Sequence, residues 1–118
     1  MKTIIRTDLL RMSITRRYCG HHQALLGTLL ILENEDHLLN ATSLYRAIAA
    51  EYGCNYRCVE RNIRTVILHA WHKNKNYMIE IADRPLTEPP TVMDFLDILA
   101  NHARKSDPKE ILHLVPKC

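Results

Sequence analysis

The 118-residue sequence has no apolar run that approaches the roughly 20 residues of a membrane-spanning helix. Its first residues, MKTIIRTDLLRM, are interrupted by Arg6 and Asp8, which excludes a signal peptide. Internal repeats and low-complexity segments are also missing. These absences predict a single folded, cytoplasmic domain over residues 1–118. Cysteines stay reduced in that compartment, and this expectation applies to Cys19, Cys54, Cys58 and Cys118.

Strong net charge is missing as well. The formal value of +3 is too small to indicate a nucleic-acid partner by itself. The charge is unevenly distributed, because residues 1–20 and residues 54–76 each carry +4, which leaves −5 for the rest. A basic segment of this kind either faces an acidic partner or is simply solvated. Charge alone leaves both interpretations open.

Apolar residues recur at helical spacing through most of the chain, which predicts an all-α bundle of five or six short helices. We expect a first helix within residues 7–20, with Thr7 as its N-cap and Gly20 as its end. A second, more apolar helix is expected within residues 21–34. Residues 77–82, YMIEIA, are compatible with either a short strand or a helical turn.

The middle of the chain predicts two consecutive helices with a very short connection. The segment ATSLYRAIAAEYG ends on Gly53, a residue typical of helix C-termini, and the next helix resumes near Asn55 or Tyr56 and runs to about Lys73.

A proline-rich break at residues 84–91 separates this pair from a C-terminal helix over about 91–105, with Thr91 as its N-cap. Residues 106–118 are expected to form a tail.

Two cysteines and two histidines give the spacing C-x3-C-x10-H-x2-H, superficially that of a zinc finger: Cys54, Cys58, His69 and His72. Helix is expected without interruption from Val59 onward, which places Cys58 and His69 roughly 16 Å apart along it. Ligands of one zinc ion lie within about 4 Å of each other. We therefore expect neither a metal nor a cofactor. The histidines are scattered and no Ser or Cys has a recognisable base, so we expect no enzyme.

The helix predicted at 56–73 has two distinct faces. The apolar stripe expected in the core consists of Val59, Ile63, Val66, Ile67 and Ala70, with Trp71 at its margin. The opposite face carries Arg57, Cys58, Arg61, Thr65, Leu68 and His72, flanked by Glu60 and Arg64. A solvated face would usually mix both signs of charge, whereas this one has three arginines and one acidic residue.

Two helices joined by a tight turn, the second with arginines in its first half, are typical of a helix-turn-helix, here about residues 42–73. In that motif the second helix enters the major groove, where arginine binds guanine O6 and N7. The pattern predicts double-stranded DNA as the partner. Helical pairs with arginines are common, however, so a helical protein-interaction domain remains an alternative.

The segment SLYRAIAAEYGCNYRCVERNIRTVILHAW resembles the C-terminal DNA-binding effector domain of the sporulation master response regulator, the stage-zero sporulation protein A family. That family carries a pattern close to LYPDIAKKF, a three-residue turn and SRVERAIRHAIEVAW. The matching positions are Leu44, Tyr45, Ile48, Ala49, Val59, Glu60, Arg61, Ile63, Arg64, Ile67, Ala70 and Trp71. The similarity continues in EPPTVMDFLDILA and covers roughly residues 8–105.

The resemblance implies a six-helix bundle with a helix-turn-helix and a role in sequence-specific transcription regulation during sporulation. It implies that Glu60 and Arg61 reach base edges and that Arg64 contacts DNA beside them. Arg57, Cys58 and Thr65 share the same predicted face and complete the expected DNA-binding set.

Three departures from the family pattern stand out. Cys58 occupies the position of a base-reading arginine, for which Arg57 is expected to substitute in part. The segment ILENEDHLL is several residues shorter than its counterpart, so the second helix should lose more than a turn. We also expect no receiver domain before the effector-like region. These departures leave DNA binding as the expectation but place the operator sequence in question.

Two functions therefore remain open. The first is a DNA-binding transcription regulator, acting alone, as a homodimer or as a tandem pair on DNA. The second is a helical interaction domain that modulates a related regulator through its dimerising surface without binding DNA itself.

Overall fold

The computed structural model describes residues 1–106, which form five α-helices and one 3-10 helix. In chain order these are α1 (Lys2–Arg11), α2 (Cys19–Glu33), the 3-10 helix (Glu35–Leu39), α3 (Ala41–Tyr52), α4 (Tyr56–Ala82) and α5 (Val92–Ser106). No strand occurs in residues 1–106, which confirms the predicted all-α class and assigns residues 77–82 to a helix. The expected tail beyond residue 106, with Cys118, lies outside the described residues.

Helix α2 is the centre of the bundle and packs against α1, α3, α4, α5 and the 3-10 helix. The apolar stripe predicted for α4 is buried in the core, as are Val92, Phe95, Leu96 and Leu99 of α5. Each fully buried aliphatic or aromatic side chain stabilises the fold by about 1.5–3 kcal/mol. The largest of them are Phe95, Ile5, Leu9, Met12, Ile14, Ile31, Leu44, Ile48, Ile63, Ile67, Met78 and Leu96. None of the helices within this range is long and apolar enough to cross a membrane.

Helix α1 begins at Lys2, so the prediction of an N-cap at Thr7 is wrong. The hydroxyl of Thr7 instead donates to the Thr3 carbonyl, 2.9 Å away within the same helix. Ile5 and Leu9 are four residues apart and fully buried, and this packing extends the helix toward the N-terminus. The helix ends where Ser13 takes a left-handed φ of 66° and the Ile14 amide donates to the Leu9 carbonyl at 2.9 Å.

Gly20 was predicted to end the first helix, and this prediction is wrong. The residue lies in the first turn of α2. A Cβ atom at this position would lie 2.5 Å from the Asn62 carbonyl oxygen and 2.8 Å from Cγ1 of Val66. Glycine is therefore required because the backbones of α2 and α4 approach each other closely here. Residues 19–22 accordingly form the start of α2.

The connection between α3 and α4 has the geometry expected from the sequence. Gly53 adopts the left-handed conformation with φ of 60°, and the Cys54 amide donates to the Ala49 carbonyl at 3.2 Å. Asn55 caps α4, because its side-chain oxygen accepts a hydrogen bond from the Arg57 amide at 2.8 Å. The two helices also pack against each other, an arrangement that is compatible with a helix-turn-helix.

Helix α4 is kinked at Asn74, whose φ of −152° and ψ of 61° are not helical. The kink directly follows Lys73, the predicted end of the helix. The Asn74 side chain donates to the Arg11 carbonyl at 2.7 Å and accepts from the Tyr77 amide at 3.4 Å. It therefore joins α1 to α4 and caps a new helical segment. We call residues 56–73 the front part of α4 and residues 75–82 its rear part.

A buried carboxylate joins α1, the rear part and α5. Asp8 is 2% exposed, and its Oδ1 accepts a hydrogen bond from the Tyr77 hydroxyl at 2.6 Å. Its Oδ2 lies 2.6 Å from Nδ1 of His102. Burial and the bond to Asp8 raise the pKa of Tyr77 to about 12, so this phenol keeps its proton. Both oxygens of the carboxylate thus have close partners inside the protein.

Candidate nucleic-acid interface

The buried apolar stripe determines which face of the front part points toward the core and which points outward. Val59 and Ile63 are 0% exposed and Val66 is 1% exposed, as predicted from the helical period. The opposite face is consequently turned outward. It exposes the arginines together with Thr65, Leu68 and His72.

Arg57 is held in the first turn of α4 by an aromatic ring. Its Nε donates to the Tyr56 hydroxyl at 3.4 Å, and its guanidinium carbon lies 5.8 Å from the ring centroid. The hydrogen bond from Arg57 lowers the pKa of Tyr56, and the same bond raises the pKa of Arg57. Arg46 of α3 lies 5.1 Å from the same centroid. Tyr56 therefore gathers two guanidinium groups at the start of α4.

Arg46 and Tyr56 were not among the residues that the sequence predicted for the interface. Their partnership depends on how α3 and α4 meet, which the helical period does not reveal.

Cys58 and Arg61 contact each other on the outward face. The Arg61 guanidinium donates to the Cys58 sulfur at 3.6 Å, and the thiol is half-buried instead of fully exposed. Arg61 itself is exposed and forms no ion pair within the described part of the chain. A neutral thiol is a weak acceptor, so this contact directs the guanidinium without neutralising it.

Glu60 and Arg64 form an ion pair of 3.1 Å across one turn of α4. The two side chains are 32% and 57% exposed, so water screens the pair and it contributes only about 0.3–0.5 kcal/mol. Glu60 is the single acidic residue of the front part. Both groups can therefore exchange this contact for another at little cost.

Thr65 completes the face one turn after Arg61. Its hydroxyl donates to the Arg61 carbonyl at 2.9 Å, which leaves the oxygen lone pairs and the methyl group accessible. The structure thus brings together all six residues predicted from the sequence on one side of α4: Arg57, Cys58, Glu60, Arg61, Arg64 and Thr65.

The cysteines and histidines near this face have other contacts. Cys54 and Cys58 carry free thiols, and Nε2 of His69 lies 3.2 Å from the Ser13 carbonyl oxygen. Within residues 1–106, no three His, Cys, Asp or Glu side chains are grouped as metal ligands would be. The chemistry of the face is that of guanidinium groups.

Comparison with known proteins identifies the family. No curated protein and no solved structure gives a significant match to this chain. The family model described as "Sporulation initiation factor Spo0A C terminal" matches residues 5–103, which is most of the sequence. That family consists of DNA-binding effector domains of the sporulation response regulator. The chain therefore belongs to the Spo0A C-terminal domain family.

Proposed function

We propose that this chain is a sequence-specific transcription regulator that inserts the front part of α4 into the major groove of double-stranded DNA. One observation carries the proposal. Arg57, Arg61 and Arg64 are exposed along one outward face, and Glu60 is the single acid of that helical segment. Such a face matches the acceptors of guanine and the charge of phosphate.

In this proposal Arg61 is the principal base-reading residue. It is exposed, carries its full charge and is directed outward beside Cys58, as a bidentate contact to guanine O6 and N7 requires. Glu60 accepts a hydrogen bond from a cytosine amino group once Arg64 turns toward a phosphate. The weak ion pair between them makes this exchange inexpensive.

Arg57 and Arg46 have a different role in the proposal. Both guanidinium groups lie over the Tyr56 ring at the start of α4, where the backbone of a groove-bound duplex passes. We assign them to phosphate contacts that set the depth of the helix. The half-buried Cys58 offers an apolar surface to a base edge, and Thr65 supplies a methyl group and a hydroxyl acceptor on the same face.

Binding as a homodimer or as a tandem pair, and a cytoplasmic location, are parts of the same proposal. A tandem pair predicts two repeated half-sites in the bound DNA, and a homodimer with two-fold symmetry predicts an inverted repeat. The arrangement of half-sites therefore distinguishes the two modes of binding.

The decisive experiment is selection of bound duplexes from a random pool, followed by titration of the selected site over a range of salt concentrations. A DNA-binding regulator should give an enriched sequence and an affinity whose logarithm falls linearly with the logarithm of salt. No enrichment and no binding to duplex DNA would favour the alternative, a helical domain that modulates a related regulator through protein contacts.

Substitution of Arg61 tests the base-reading role. Arg61→Ala should weaken binding to the selected site by about 1–3 kcal/mol and relax the preference at one base pair. Arg84→Ala is the matched control, because Arg84 is exposed beyond the far end of α4 and forms no ion pair within residues 1–106. Equal losses on selected and random DNA would make Arg61 a phosphate contact and contradict its assignment.

A further inference from the structure

A second basic segment lies beside α4, in the loop of residues 13–18 that joins α1 to α2. Three imidazole rings hold the backbone of this loop, each near a different carbonyl oxygen. The pairs are His69 with Ser13 at 3.2 Å, His21 with Ile14 at 3.0 Å and His22 with Arg16 at 3.0 Å. Because a carbonyl can only accept, the ring nitrogen carries the proton in each pair.

Two further features show how closely the loop is fixed to the front part of α4. The Tyr18 and His69 rings have centroids 5.1 Å apart. Ser13 has a φ of 66°, a left-handed conformation that is strained for a non-glycine residue and persists only where the surroundings hold it. The loop is therefore a positioned element and not a passive connection.

An open cavity of about 440 Å³ lies between the loop and α4. Its lining offers hydroxyl groups, an imidazole and a guanidinium but no carboxylate, and consists of Ser13, Thr15, Arg17, Tyr18 and His69. Arg16 and Arg17 are exposed, and neither forms an ion pair in the described part of the chain. Hydroxyl and guanidinium donors without a competing acid are the groups that bind an anion.

The position of the cavity relative to the six predicted DNA-binding residues on α4, which we call the reading face, indicates which anion would bind. His69 follows Arg61 by eight residues, so the cavity wall lies about 12 Å further along the axis of α4. A helix in the major groove lies between the two phosphate backbones that border it. A cavity beside the same helix, about 12 Å along its axis from Arg61, is therefore placed to meet one of these backbones.

We infer that the loop of residues 13–18 binds a backbone phosphate of DNA at the border of the groove that α4 reads. Arg17 is the charged donor, and the hydroxyls of Ser13 and Thr15 are the neutral donors. This inference rests on the proposed function, since it takes the orientation of the duplex from the front part of α4. It adds a contact about 12 Å from Arg61 along the axis and so fixes the angle at which the helix crosses the groove.

The test combines Arg17→Ala with duplexes in which single phosphates of the selected site are replaced by neutral methylphosphonates. Arg17→Ala should weaken binding to selected and random duplexes by the same factor, roughly tenfold, and reduce the salt slope by about one. One methylphosphonate should weaken binding of the unmodified protein and have no further effect on Arg17→Ala. Arg84→Ala supplies the control for loss of one positive charge.

The outcomes separate this inference from the proposed function. If Arg17→Ala behaves like Arg84→Ala while Arg61→Ala loses base preference, the phosphate site is wrong and the recognition helix stands. If the unmodified protein binds no duplex, both the proposed function and the phosphate site that rests on it are wrong. Arg17→Lys guards against a folding defect, because it keeps the charge and should recover most of the salt slope, and thermal unfolding of all variants should match.

Discussion

The two parts of α4 use polar side chains in opposite ways. In the front part Arg57 and Arg61 are exposed, and their nearest partners are a phenol and a thiol that neutralise neither guanidinium. In the rear part Tyr77 donates to the buried Asp8, whose second oxygen contacts His102. One end of the helix leaves its polar groups free for a partner, and the other end uses them inside the protein.

This contrast explains how a small domain combines stability with recognition. A polar group that is satisfied internally contributes to folding, whereas an exposed arginine contributes little to it and remains available for DNA. Changes in the rear part should therefore lower stability and leave base preference unchanged. Changes on the exposed face of the front part should alter base preference and leave stability nearly unchanged.

The largest effect on stability is expected at Asp8. Asp8→Ala removes the acceptor for Tyr77 and the partner of His102, so it should lower the free energy of unfolding by about 2–4 kcal/mol. Chemical denaturation measures the loss. Glu88→Ala, an exposed acid in the proline-rich loop, is the control and should change it by less than about 0.5 kcal/mol. A loss of base preference at temperatures where Asp8→Ala stays folded would break the contrast between the two parts.

Trp71, near the end of the front part, should give an intermediate effect. Its ring is half-buried against the core and lies 5.2 Å from the Lys75 ammonium, so it closes the core only partly. Trp71→Ala should cost about 2 kcal/mol, less than the 3–5 kcal/mol of a fully buried tryptophan. Thermal and denaturant unfolding measure this cost. If the variant remained as stable as the unmodified protein but lost DNA binding, Trp71 would belong to the interface.

A smaller, pH-dependent effect is expected at His21. Burial lowers its pKa from 6.5 and so favours the neutral ring in the folded protein, where Nδ1 donates to the Ile14 carbonyl. The unfolded chain then binds the proton more readily than the folded one. This contribution to stability is complete above pH 6.5 and decreases as the pH falls from 6.5 through the lowered pKa.

Unfolding free energies between about pH 5 and 8 test this prediction, with His21→Gln beside the unmodified protein. The glutamine keeps a donor for the Ile14 carbonyl but does not titrate, so the variant should lose less stability in acid. His37→Gln, in the 3-10 helix, should retain the full pH dependence. Identical pH profiles for all three proteins would mean that His21 accepts its proton equally well in both states.

The smallest effect on stability is expected at Cys58, where the change should act on base preference instead. Cys58→Arg restores the residue that the family pattern carries and should shift the selected sequence toward an additional guanine. An arginine stem can extend along the surface from a half-buried position, so stability should change by less than about 0.5 kcal/mol. Cys54→Arg, in the turn before α4, is the control, and unfolding of Cys58→Arg would require the reading face to be reassigned.

The sequence predicted best what depends on a single helix. The buried stripe and the arginine face of the front part follow directly from the 3.6-residue period over a stretch without glycine or proline. The start of α1 was misplaced because a threonine hydroxyl can either cap a helix or bond within it, and packing of Ile5 and Leu9 decides between the two.

Features that depend on contacts between helices were not predictable. Gly20 permits a close approach to α4, a role that a sequence does not distinguish from a helix end. The contacts that Tyr77 and His102 make with Asp8 span 69 and 94 residues of chain. The same limitation hid Arg46 and the cavity beside the loop of residues 13–18, because both arise where separate helices meet.

The kink at Asn74 also divides the backbone hydrogen bonds of α4 into two separate series. Since the Asn74 side chain caps the segment that follows, each part has its own first turn and its own row of amide protons. The two series can open separately by local unfolding. One belongs to the front part with the reading face, and the other to the rear part that contacts Asp8. A hydrogen-exchange profile along α4 should therefore show a step at residue 74 instead of a smooth gradient from one end to the other.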